Sequence, residues 1–229
     1  MRLIGVDGVG PGWLVAWREE GLRYRVFPSL ADAFAVLEPR LAAIDVPIGL
    51  ADTVPSRGRD CEVTARALLG PLRASVFPTP PRAVVAATSY PDAAAACGRI
   101  AGWKPSRQAF SIFPKIREAD ALVRHVGQDR AIETHPELAF LAMKGGAITS
   151  RKSRAGGVVE RLRLLSDQGL DPLGGTFDPS LDQSGVGIDD VLDATAALWT
   201  AHRVHEGRAG RLPADPPRDA HGLRMEIWF

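Results

Sequence analysis

Residues 2–27 read RLIGVDGVGPGWLVAWREEGLRYRVF, and residues 41–46 read LAAIDV. The first stretch opens on an apolar strand, 2–7, that ends on a carboxylate. Gly and Pro in 8–12 supply a turn. A second strand covers 13–17, Glu19-Glu20-Gly21 makes a hairpin turn, and 22–27 alternate as a third strand. Ser29 caps a helix over 30–37, whose apolar residues recur at helical spacing. The continuous apolar run 41–46 suits a strand buried on both faces, as in a parallel sheet. A right-handed crossover places this fourth strand parallel to the first and beside it. Asp7 and Asp45 then stand at the same end of neighbouring strands. Strands lie roughly 4.8 Å apart, so both carboxylates can reach one ion.

Further along, 130–134 (RAIET) reads as a fifth strand ending near Glu133. Between the fourth and fifth strands, 51–129 form a helical insertion or cap, with helices over 60–69, 91–101 and 114–126. Pro114 fits a first helical position. SVFPTPPR (75–82) is irregular, because three prolines cannot sit in a helix interior. Pro136 starts a short helix, and 157–168 form another. Asp189 is expected to open a long apolar helix that Gly207 ends, with Asp189 as its N-cap. The tail GLRMEIWF alternates as a terminal strand. The expected fold is α/β in one domain, 1–229. Its mixed five-stranded sheet has three antiparallel strands followed by parallel ones, flanked by helices.

The 229 residues carry 28 Lys+Arg against 27 Asp+Glu, a net charge of +1. That balance excludes a histone-like basic coat and an acidic disordered chain. Cys61 and Cys97 make neither a disulfide framework nor a CxxC zinc site, and they suit a reducing compartment. No run approaches the ~18 apolar residues of a membrane span, and the N-terminal apolar stretch is too short for a signal peptide. The expected setting is cytoplasmic, with no membrane partner. The near-neutral total is a sum of opposed regions. Residues 144–163 hold six basic residues and one acidic, whereas 167–193 hold seven aspartates and no Lys or Arg.

The chemistry-bearing pattern is a set of carboxylates at element ends: Asp7, Asp45 and Glu133 on strands, and Asp190 with Asp193 near a helix start. The i, i+3 spacing puts the last two on one helix face. Taken singly, some have plain structural roles. Asp7 before Gly8 suits a turn, and Asp190 in a first turn favours the helix dipole. Asp45 and Asp193 sit in apolar runs, where a charge needs a partner. Together the acids need cations, and hard oxygen ligands suit Mg²⁺ or Mn²⁺. Two such ions can activate a water and stabilise the leaving oxygen in phosphodiester cleavage.

The motifs VDGVGPGW (6–13), IDVPIGL (44–50), SVFPTPPR (75–82), FPKIRE (113–118), ETHPELAF (133–140), DDVLDATAALWTAHR (189–203) and GLRMEIWF (222–229) occur in this order. The chain resembles, nearly end to end, the predicted RNase H-like nuclease family catalogued as domain of unknown function 429. The resemblance implies an RNase H-like sheet with acids on the first and fourth strands and on a late helix. Asp190 and Asp193 look like the DxxD helix of Holliday-junction resolvases. Glu133 resembles an acid that some relatives carry on the fifth strand. One departure is Asp45, where resolvases usually have Glu.

The reading is therefore a divalent-metal-dependent nuclease acting on nucleic acid. Asp7, Asp45, Asp190 and Asp193 hold the metal, and Glu133 serves as a further ligand or base. Candidate phosphate contacts are Arg82, Lys115, Arg117, His135 and Lys152. Phe77, Phe110 and Phe113 either stack on bases or pack the insertion. One alternative is a non-catalytic nucleic-acid-binding protein on the same fold. Another is a phosphotransferase of the actin and sugar-kinase type, disfavoured because no internal repeat is present. The terminal strand and exposed tryptophans permit a homodimer.

Overall fold

The computed structural model describes residues 2–10 and 12–229. Its centre is a six-stranded sheet. The strands are β1 (Leu3–Val9), β2 (Gly12–Arg18), β3 (Leu22–Phe27), β4 (Leu41–Ile44), β5 (Ala131–Glu133) and β6 (Thr176–Phe177). They lie in the order β5-β4-β1-β2-β3-β6, and only β2 runs against the others. The expected count of five is thus corrected to six. The addition is the two-residue β6, too short for alternation to reveal, which pairs in parallel with β3 and stacks Phe177 on Tyr24 at 4.8 Å. Of the expected turn over 8–12, Gly8 and Val9 belong to β1 and Gly12 opens β2, while Pro11 lies outside the described residues.

Ten helices surround the sheet among the described residues: α1 (Leu30–Leu37), α2 (Asp60–Leu69), α3 (Arg82–Val85), α4 (Tyr90–Ala101), α5 (Arg107–Ser111), α6 (Phe113–Val126), α7 (Pro136–Lys144), α8 (Ala155–Asp167), α9 (Ser180–Ser184) and α10 (Ile188–His205). The Ser29 hydroxyl caps α1 by accepting from the Asp32 N–H at 3.1 Å. Phe113, not Pro114, is the first residue of α6, with Pro114 second. The tail does not join the main sheet as a full strand. Its β8 (Ile227–Trp228) pairs with β7 (Arg211–Leu212), and one parallel bridge links Trp228 to Thr134 beside β5. None of the five tryptophans is exposed: Trp13, Trp17 and Trp199 are buried, and Trp103 and Trp228 are half-buried. The expected exposed tryptophans are therefore corrected.

Strand parity sorts the core into two faces. Leu3 and Val9 of β1, Leu14 and Ala16 of β2, Leu41 and Ala43 of β4, and Ile132 of β5 pack under α7, α8 and α10. The opposite set, including Ile4, Val6, Trp13, Val15, Ala42, Ile44 and Ala131, packs under α1 and α6. Helix α10 carries eleven consecutive buried residues, Val191–Ala201, and crosses β1 at Gly5. A Cβ built on Gly5 would lie 2.1 Å from both the Ala194 carbonyl oxygen and the Leu198 nitrogen. Only a glycine allows that approach, because both obstacles are backbone.

Gly5→Ala is expected to cost at least about 3 kcal/mol, the upper end of ordinary overpacking. Gly98, inside α4, supplies the opposite sign, since a Cβ placed on it would meet nothing within 4 Å. Gly98→Ala should stabilise by about 0.5–1 kcal/mol. Urea denaturation of the two variants checks the pair, and a neutral Gly5→Ala would refute the contact.

Candidate functional site: an acid cavity

Gly5 and Asp7 lie two residues apart on β1, so both face α10. The close approach at Ala194 therefore brings Asp193 and Asp190 to Asp7. The parity of Leu41 and Ala43 on β4 carries on to Asp45, the residue after the strand, whose N–H donates to the Val6 carbonyl at 2.9 Å. The four aspartates reach one cavity of about 340 Å³, lined also by Lys115, Glu133, His135 and Lys152. Asp7 and Asp193 are buried, and Asp45 and Asp190 are half-buried. Burial raises all four carboxyl pKa values. Asp193, Asp45 and Asp190 raise Asp7 further, Asp193 also raises Asp45, and Asp193 itself is pushed up to about 6.

The cation among these acids is Lys152. Its ammonium pairs with Asp193 Oδ2. Burial works against that charge, yet Asp193 first, with Asp45 and Asp7 behind it, lifts the Lys152 pKa above its ordinary value. Asp193 Oδ1 is left buried without a hydrogen-bond partner. Asp7 Oδ1 accepts from the Gly8 N–H at 2.8 Å. Gly187, not the expected Asp189, is the N-cap of α10, and Asp190 Oδ2 in the first turn accepts from the Gly187 N–H at 2.7 Å. Asp45 makes no side-chain hydrogen bond among the described residues. No three of the described His, Cys, Asp or Glu side chains stand together as a ready-made metal cage.

Glu133 lines the cavity together with Arg59 and Glu62. Register pairs it with Ile44, so on β5 the residue matching Asp45 is Thr134. The Glu133 carboxylate accepts from Arg59 at 2.7 and 3.0 Å and from the Ile48 N–H at 2.6 Å. Burial pushes its pKa up to about 7 against the pull of Arg59. Arg59, itself buried, also binds Glu62 at 2.6 Å and the Ile48 and Gly49 carbonyls. This network braces the cavity wall, and Glu133, expected as a ligand or base, stands in the cavity lining ion-paired to Arg59.

The expected phosphate contacts divide. Lys115 lines the cavity, with its ammonium on the Gly12 carbonyl and 4.6 Å from the Trp13 ring centroid. Arg82 is committed elsewhere, to Asp120 at 2.7 and 3.0 Å and to Asp219 at 2.7 Å. Arg117 holds the Val85 and Ala87 carbonyls. Neither arginine lines the cavity, so both are corrected to structural braces. His135 accepts from the Glu137 N–H at Nδ1 and caps α7, while Nε2 lies 3.4 Å from the Ser75 carbonyl.

Two supports escaped the sequence reading. Arg59 is one of many arginines, with no local pattern to mark it. Fully buried Arg161 binds both Glu137 oxygens, at 2.6 and 2.8 Å, and the Ser150 and Gly157 carbonyls at 3.0 Å. It thereby pins the loop that presents Lys152.

Burial, reinforced by Lys152, pushes His135 down to about 4 against the Ser75 carbonyl. Between pH 6.5 and about 4 the unfolded chain takes up this proton and the folded one does not. The His135 contribution to stability is thus present above pH 6.5 and lost as pH falls through that window. An NMR titration of the metal-free protein should find no His135 midpoint between pH 7 and 5. A midpoint near 6.5 would refute the desolvated cap.

No helix of the described residues is long and apolar enough to cross a membrane. Searches of curated proteins and of solved structures returned no match. A family model does match, over residues 5–218, which takes in β1 from Gly5 onward, all four aspartates, Arg59 and Arg161. The chain belongs to the family described as Protein of unknown function (DUF429).

Proposed function

We infer that this protein is a divalent-metal-dependent phosphodiesterase acting on nucleic acid, built on an RNase H-like sheet. The observation that carries the reading is the arrival of Asp7, Asp45, Asp190 and Asp193, from three separate elements, at one cavity. Four acids on one cavity, two buried and two half-buried, are unfavourable for folding alone, so their placement is explained best by a cation they receive. The donor set fits Mg²⁺ or Mn²⁺ in its chemistry: hard carboxylate oxygens, one of them, Asp193 Oδ1, buried and unpartnered. Asp7, Asp45, Asp190 and Asp193 would hold the metal. When bound, it would lower the pKa of a water and stabilise the leaving oxygen.

The remaining roles fall to the chain's own groups. The Lys152 ammonium neutralises Asp193 before loading and, once displaced from it, stands ready for a phosphate oxygen. Lys115 supplies a second positive charge beside Asp7 and Gly8. Arg59 and Arg161 hold the walls still, which keeps the acids at fixed positions.

One observation favours a second reading, a non-catalytic nucleic-acid-binding protein. Lys152 already pairs with Asp193, and no three-ligand cage stands preformed among the described residues. In that reading Lys152 is a permanent counter-ion.

Cleavage of single-stranded, duplex and branched DNA and RNA with Mg²⁺ or Mn²⁺ tests the enzyme. Asp7→Asn and Asp193→Asn should each lose more than about 100-fold, beyond the usual cost of disturbing a metal's outer shell. Full activity in Asp7→Asn would overturn the assignment. Lys152→Ala separates the two readings. If the acids take a metal, the variant loses thermal stability without Mn²⁺ and regains it with Mn²⁺, and calorimetry shows tighter Mn²⁺ binding than in the wild type. If Lys152 is a permanent counter-ion, Mn²⁺ restores nothing.

A further inference from the structure

The segment 75–78 divides the acid cavity from a second one, and Val76 and Phe77 line both. The second cavity has a volume of about 570 Å³. That lies within the ~300–1,000 Å³ of ligand sites. Its charged lining is Arg66, Arg73 and Lys104, with no carboxylate, and its aromatic lining is Phe77 and Trp103.

These cations are not equivalent. Arg66 is committed to the Val76 carbonyl at 3.0 Å and to the Arg57 carbonyl. Arg73 and Lys104 are exposed, and neither makes a side-chain hydrogen bond or ion pair among the described residues. Two unengaged cations thus line one hollow that holds no carboxylate to neutralise them. The aromatic rings are differently placed from Phe113, which is fully buried, and from Phe110, which packs edge-on against it at 5.1 Å. Phe77 and Trp103 are half-buried, and the Trp103 Nε1–H donates to the Val54 carbonyl at 3.1 Å, which fixes the indole plane.

Cations without anions select a polyanion, and aromatic faces select a ligand with unstacked planar rings. In a duplex the base faces are covered by their neighbours, so this combination suits an unpaired strand. The geometry points to this second cavity as the track for a single-stranded polynucleotide segment flanking the phosphate held at the acid cavity, with Arg73 and Lys104 on its phosphates and Phe77 and Trp103 under its bases. Continuity through Val76 and Phe77 leads one strand from the track to the acids. The inference deepens the nuclease reading and rests on it for the position of the cleaved phosphate, but not for the binding itself.

Binding is therefore measured without metal. Fluorescence anisotropy in EDTA follows the full chain with labelled twelve-nucleotide DNA and RNA single strands and with the matching duplexes. The single strands, of one or both chemistries, should bind more tightly than the duplexes. Arg73→Ala/Lys104→Ala, at exposed positions, should keep the wild-type melting temperature and weaken strand binding at least tenfold. It should also reduce the log–log salt slope by ~0.7 for each cation removed. Phe77→Ala should weaken binding at least about fivefold. Wild-type affinity in the double variant, tighter duplex binding, or no strand binding at all would overturn the track. Cleavage by a wild type whose strand affinity ignores Arg73 and Lys104 would sink the track and spare the nuclease. Strand binding that depends on them, without cleavage under any metal, would do the reverse.

Discussion

The contact of α10 with β1 at Gly5 governs the rest of the structure. A side chain there would hold the helix off the sheet, because the atoms it meets are the backbone of Ala194 and Leu198. Without it, a helix buried over Val191–Ala201 lies directly on the central strand. The same contact sets the site. Asp193 adjoins Ala194, Asp190 lies one turn earlier, and Asp7 lies two residues after Gly5 on the same strand face. A single close packing of backbone on backbone thus supplies both the core and the meeting of three acids. The fourth, Asp45, follows from parallel pairing of β4 with β1.

Much of this was legible because it rests on periodicity. The strands over 22–27 and the helices over 30–37 and 60–69 follow local patterns that the tertiary fold does not override, and the order of the first four strands follows from crossover handedness. The acids on β1, β4 and α10 were legible as charges in apolar runs. What could not be read depends on single-residue phase or on distant partners. Glu133 ends a strand only three residues long, too short to tell which face it takes, and it lands opposite Arg59. Arg82 and Arg117 look like surface cations beside a proline-rich loop. Their partners, Asp120, Asp219 and two carbonyls, come from segments remote in sequence or from the far side of a turn.

The near-zero net charge acquires a spatial meaning. The acidic stretch 167–193 ends in the cavity, and the basic stretch 144–163 places Lys152 against it. The two stretches neutralise each other at Asp193, whose carboxylate pairs with the Lys152 ammonium. Burying a carboxylate without a partner is costly, so an acid cluster of this kind needs a cation beside it to fold. A lysine suits that task better than an arginine, because its ammonium makes few geometric demands and can leave.

That contrast extends to the whole chain. Only four of the 28 cations are lysines. Lys115 and Lys152 line the acid cavity, Lys104 lines its neighbour, and Lys144 pairs with Glu160 at the surface. The buried or half-buried arginines nearby, Arg59, Arg66, Arg82 and Arg161, are each fixed by several hydrogen bonds to carbonyls or carboxylates. A planar guanidinium held on two or three sides locks segments together, whereas an ammonium on a flexible stem can change partners. The frame around the cavities is therefore built from guanidinium forks, while the two ammonium groups in the acid cavity, Lys115 and Lys152, sit on stems that can change partners.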